Sequence, residues 1–101
     1  MEPDYYRLLG MISLKQYEAT GDRSHLDAAE EHLNDALVNA RHYESKGLEL
    51  RAALDLADAL CLQDKNEAAH RLLAGINQRI EEPDTSRDFV RIRNMLKKLS
   101  T

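Results

Sequence analysis

Glu67 and His70 stand at i and i+3, the Glu-x-x-His spacing that brings two metal ligands onto one face of a helix. A di-iron or di-manganese bundle needs that motif twice, together with two further Glu from other helices. Here His25, His32 and His42 have no Glu three residues before them. Half of the constellation is missing, so neither a metal site nor a cofactor is expected. His25 and His32 fall on roughly one helical face, yet no Asp or Cys completes a ligand set around them. Cys61 paired with His70 would suggest a thiol nucleophile, but Cys61 lies in an Ala- and Leu-rich segment where a buried thiol is inert. The chain has no Gly-rich phosphate loop, Ser-centred elbow or His-Glu-x-x-His zinc helix. No catalytic residue can be assigned, and the expectation is a protein that is not an enzyme.

The remaining polar residues must therefore be read through the elements that carry them. With 101 residues, 43% hydrophobic and 32% charged, the chain has material for one small helical domain and one core. A single cysteine excludes an internal disulfide framework and fits a reducing, cytoplasmic setting. Apolar runs such as Leu8-Leu9 and Ala52-Ala53-Leu54 are far short of the ~20 residues a membrane span requires, so no membrane partner is expected. Residues 85–101 set five cations against Asp88, which leaves −8 on the first 84 residues of a chain whose total is −4. An acidic body speaks against nucleic-acid binding, which needs a basic docking face, although the Arg91–Lys98 segment taken alone would be its natural location. Lys97 and Lys98 also suit the last turn of a helix, where cations complement the macrodipole.

Periodicity predicts five helices, all-α and antiparallel. Helix 1 is expected from Pro3 to Thr20 with Gly21 as its stop and Tyr5, Leu8, Leu9, Ile12 and Tyr17 as an imperfect apolar stripe. Gly10 lies inside it and implies close approach of another helix. Helix 2 begins after Ser24 as cap, buries Leu26, Ala29, Leu33, Ala36, Ala40 and Tyr43, turns Glu30, Glu31, Asp35, Asn39 and Arg41 to water, and ends at Ser45-Lys46-Gly47. Helix 3, about Leu48 to Leu62, is apolar on most sides and should be central. Helix 4 opens at Asp64-Lys65-Asn66-Glu67, buries Ala68, Ala69, Leu72, Leu73, Ile76 and Ile80, and stops before Pro83. Helix 5 follows Thr85 or Ser86 and repeats Phe89, Ile92, Leu96 and Leu99 at helical spacing.

Helices 2 and 4 can be superposed in sequence, Ala29, Leu33 and Ala36 falling on Ala69, Leu73 and Ile76, and Leu9-Gly10 of helix 1 aligns with Leu56-Ala57 of helix 3. With Gly21-Asp22, Leu60 and Asp64 these positions give the chain a pattern that resembles tetratricopeptide (TPR) repeats, in the divergent long-helix form of bacterial signalling and regulatory proteins. The equivalent Leu-small pairs are 47 residues apart and the equivalent alanines 40 apart, longer than the family's repeat of about 34. Tyr6 or nothing replaces the expected Trp, and Arg41 stands where a closing Pro would be.

The resemblance implies a single domain over 1–101, an α-solenoid fragment of two helical hairpins (3–45 and 47–81) and a capping helix (86–100), with helices 1, 3 and 5 lining a concave face. One hairpin cannot bury its own apolar face, so such arrays need neighbours or caps. Helix 1 has no predecessor within the chain, which implies either a longer array or a homodimer through that end. On the implied concave face lie Arg7, Met11 and Lys15 of helix 1 and Arg51, Asp55 and Asp58 of helix 3. Their mixed sign suits an extended peptide or partner helix better than a uniformly acidic tail. The expected function is a protein- or peptide-binding scaffold or adaptor. The rivals are a self-associating structural module and a helical-bundle metal protein built on Glu67 and His70.

Overall fold

Gly21 ends the first helix by taking the left-handed conformation that a helix stop requires, with φ +71° and its N–H donating to the Tyr17 carbonyl at 2.7 Å. The computed structural model describes residues 5–79 and 87–99. These form five helices and no strand: α1 Tyr5–Thr20, α2 Ser24–His42, α3 Lys46–Leu62, α4 Asn66–Arg79 and α5 Arg87–Leu99. The boundaries expected at Pro3, Pro83, Thr85 and Ser86, the burial of Ile80 and the side chain of Phe89 lie outside the described residues.

Three predicted boundaries are corrected. Ser24 is the first residue of α2 and not its cap. The cap position falls on Arg23, which makes no side-chain cap bond; one residue earlier Asp22 Oδ1 accepts the Ser24 N–H at 3.0 Å, and hydrogen bonds from the Ser24 backbone and side chain hold its carboxyl below the usual range. Lys46 and Gly47 open α3 instead of closing α2, and Ser45 caps them by accepting the Leu48 N–H at 3.4 Å. Asp64, expected to open helix 4, closes α3.

The reason is a turn used twice. Ser45 N–H donates to the Ala40 carbonyl at 2.9 Å and Glu44 N–H to Arg41 at 3.1 Å, with Glu44 at φ 53°. In the next connection Lys65 N–H donates to Leu60 at 2.8 Å and Asp64 N–H to Cys61 at 3.1 Å, with Asp64 at φ 62°. Both are Schellman closures whose left-handed residue is a carboxylate and not glycine. Gly47 therefore sits after the stop that its type advertised.

Packing proceeds along the chain, each helix lying against the next, while α3 also touches α1 and α5. α3 is the central element, with Leu50, Ala52, Ala53, Leu54, Leu56, Ala57, Ala59 and Leu60 buried. Leu26, Ala29, Leu33, Ala36 and Ala40 of α2 are buried as their spacing predicts, joined by Leu37, and Ala69, Leu73 and Ile76 of α4 and Ile92 of α5 complete the core. Tyr43 departs from this set: as the residue that caps the end of α2 it turns out of the helix, is half exposed, and meets the His42 ring edge-on at 5.3 Å.

α1 does not bury the stripe expected of it. Gly10 and Ser13 are its buried residues, Gly10 lying against Leu33 of α2, and Leu9 and Tyr17 are partly buried, whereas Tyr5, Leu8 and Ile12 are about half exposed at 48%, 52% and 54%. A Cβ on Gly10 would lie 2.5 Å from Leu33 Cγ and 2.6 Å from Cδ2. The helix is seated on its smallest residue, which rotates the larger apolar side chains away from α2.

Candidate functional site

α1, α3 and α5 share one side of the molecule, and α3 is the wall common to two adjoining grooves. The larger, ≈ 480 Å³, is lined by Met11, Leu14, Lys15 and Glu18 of α1 and by Asp55, Asp58, Cys61 and Leu62 of α3. The smaller, ≈ 220 Å³, is lined by Arg7, Arg51, Leu54, Asp55 and Arg91, which come from α1, α3 and α5. Asp55 lines both. All six residues singled out in the sequence, Arg7, Met11, Lys15, Arg51, Asp55 and Asp58, therefore lie on one continuous surface.

Local structure fixes how they meet. Arg7 Nη1 donates to Asp55 Oδ2 at 3.2 Å across the α1–α3 contact, both side chains being largely covered at 21% and 17% exposure. Arg7 beside Asp55 at one end, and Glu18 beside Leu62 at the other, show that α1 and α3 run in the same direction, as two hairpin reversals require. Arg51, Asp55 and Asp58 recur at 4 and 3 along α3, one row of a helix surface. The row stays polar because it faces the groove while the rest of α3 faces neighbours.

The two ends of this surface differ in charge. Three guanidinium groups surround the smaller groove against the single carboxylate of Asp55. The larger groove sets Glu18, Asp55 and Asp58 against Lys15, over an apolar floor of Met11, Leu14 and Leu62. Desolvation by the surrounding helices, then the neighbouring charge of Asp55, push the Asp58 carboxyl up, and Arg91 opposes them. Cys61 is partly exposed on the groove wall rather than fully buried as expected; desolvation first, then Asp58, raise its thiol, against the opposing charge of Lys98. A raised thiol is a poor nucleophile.

Glu67 and His70 are not brought into a ligand set: Glu67 is exposed and pairs with Arg71 at 3.4 Å along α4. No group of three or more His, Cys, Asp or Glu placed to hold a metal is found among the described residues, and no helix among them is long and apolar enough to cross a membrane.

Sequence reasoning missed one residue of the grooves and one polar tie outside them. Arg91 reaches the groove from α5, and only the fold brings it beside Arg51. Glu30, expected in water, accepts from Gln63 Nε2 at 2.8 Å and Lys65 Nζ at 3.0 Å, tying α2 to the α3–α4 turn. Partial burial works against its charged form, but these hydrogen bonds outweigh it and hold the carboxyl below the usual range. No family model matches the chain, and no curated protein or solved structure does.

Proposed function

We propose that this domain is a non-catalytic protein-interaction module, a TPR-like scaffold or adaptor of a bacterial regulatory assembly that acts in the cytoplasm. One observation carries the reading: side chains of three helices far apart in sequence converge on one surface that combines an apolar floor with charges of both signs. Apolar contact supplies affinity at such a surface, and the fixed charges select the partner. The repeat pattern belongs to the same proposal, since stacked helical hairpins are a common way to build an extended surface of this kind.

The test compares charge reversals at Arg51 and Asp58, both exposed, with reversals at Glu31 and Asp35 on the far side of α2. Partner capture from the source cell, quantified with the purified partner, should fall at least about tenfold for the first pair and stay unchanged for the second. Equal effects from both pairs would remove the groove from the account.

A second reading has its own observation, the exposed Tyr5, Leu8 and Ile12 on α1. These lie at i, i+3 and i+7 and form an apolar stripe facing away from α2. A homodimer through α1 would cover it, and Leu8→Lys with Ile12→Lys would abolish that dimer.

A further inference from the structure

We infer that the groove takes an extended peptide segment of opposite end charges, an acidic side chain against Arg51 and Arg91 and a basic side chain against Asp58 and Glu18, with an apolar residue beside the basic one on Met11, Leu14 and Leu62. This rests on the reading of the groove as a binding face and adds the chemistry of the occupant. The charge pattern carries it. At the end where α1 and α3 begin, arginines from three helices line a space of ≈ 220 Å³, and with Arg7 paired to Asp55 it is Arg51 and Arg91 that set the positive sign of that end. At the other end the carboxylates outnumber the single cation Lys15.

A uniformly acidic ligand would satisfy the first end and be repelled at the second, and a uniformly basic one would do the reverse. Only a bipolar ligand is complementary along the whole length.

The dimensions select the backbone. From Arg51 to Asp58 is about 10 Å along α3 and from Arg51 to Leu62 about 16 Å, at 1.5 Å per residue. An extended chain rises about 3.3 Å per residue and points alternate side chains to one face, so charges about four residues apart reach from Arg51 to the Asp58–Glu18 end, where Met11, Leu14 and Leu62 receive a neighbouring apolar side chain. α1 and α3 are in contact.

The experiment is selection from a random heptapeptide library against the intact chain, followed by fluorescence anisotropy with the enriched peptides. The expected winners carry Asp or Glu and Lys or Arg four residues apart, with Leu, Met, Ile or Phe beside the basic end. They should lose about tenfold or more in affinity when either end residue is neutralised. Against the double variant Arg51→Glu, Arg91→Glu the preference should shift to peptides basic at both ends. Against Asp58→Lys it should shift to peptides acidic at both ends, with circular dichroism checking that each variant is folded.

Enriched peptides that respond to these variants but lack the bipolar pattern would overturn this inference and leave the groove as the binding face. Peptides indifferent to all the variants, or no enrichment at all, would overturn both.

Discussion

A methyl group at position 10 would meet the side chain of Leu33, which is fully buried and has no room to retreat. Gly10→Ala gains roughly 1 kcal/mol of helix propensity and incurs overpacking of about 1–3 kcal/mol, so the net expectation is a loss of up to about 2 kcal/mol in denaturant unfolding. A stabilised variant would mean that α1 does not sit this close to α2.

Asp58 provides a second test at this scale. Its carboxyl is raised by desolvation and by Asp55, so the folded state disfavours its charge at neutral pH. The group binds its proton more readily when folded. Stability therefore rises as pH falls through the folded value toward the unfolded one, and is lost again as pH rises. Asp58→Asn should raise the melting temperature at pH 7, and the gain should vanish below about pH 3.8, where the carboxyl is protonated in both states.

At the scale of elements, the two connections 43–45 and 63–65 are the same turn with different residues at the left-handed position. Asp tolerates that conformation better than Glu, and Gly better than either. Glu44→Gly and Asp64→Gly are each expected to stabilise by about 0.5–1 kcal/mol, with Glu44→Gly the larger gain. Thermal melts at matched pH check the order. A loss at either position would contradict the turn assigned there.

These connections also mark how far the sequence could be read. The helix count, the buried row Leu26, Ala29, Leu33, Ala36 and Ala40, the left-handed Gly21 and the central place of α3 follow from spacing and residue type, because amphipathic periodicity reports burial directly. Carboxylates in left-handed turns carry no such signal, so the end of α2 and the starts of α3 and α4 fall a few residues from where spacing puts them, while the end of α3 at Leu62 is as expected. α1 defeated its own pattern. Its close approach to α2 is at a glycine, which contributes nothing to a hydrophobic stripe, and Tyr5, Leu8 and Ile12, inward by their spacing, are half exposed. Of the groove, the α3 row Arg51, Asp55 and Asp58 was legible as the polar exception in an apolar helix. Arg91 was not, since its place depends on how α5 returns to α3.

For the whole molecule, the layout is a slab spanning 41 × 39 × 19 Å, with α3 touching four other helices. The exposed apolar stripe on α1 consists of three half-exposed side chains, a small part of the ~800 Å² that each partner contributes to a standard interface. Light scattering should accordingly find a monomer at tens of micromolar protein, and a tight dimer would favour the self-association reading instead.

The central claim is that partners meet the surface formed by α1, α3 and α5, and the most direct measurement is site-specific photo-crosslinking in the source cell. A photoreactive side chain placed at exposed Arg51 or Asp58 should yield a discrete adduct, whereas the same group at Val38, 65% exposed on α2, should not. Adducts from Val38 with none from position 51 or 58 would contradict the account.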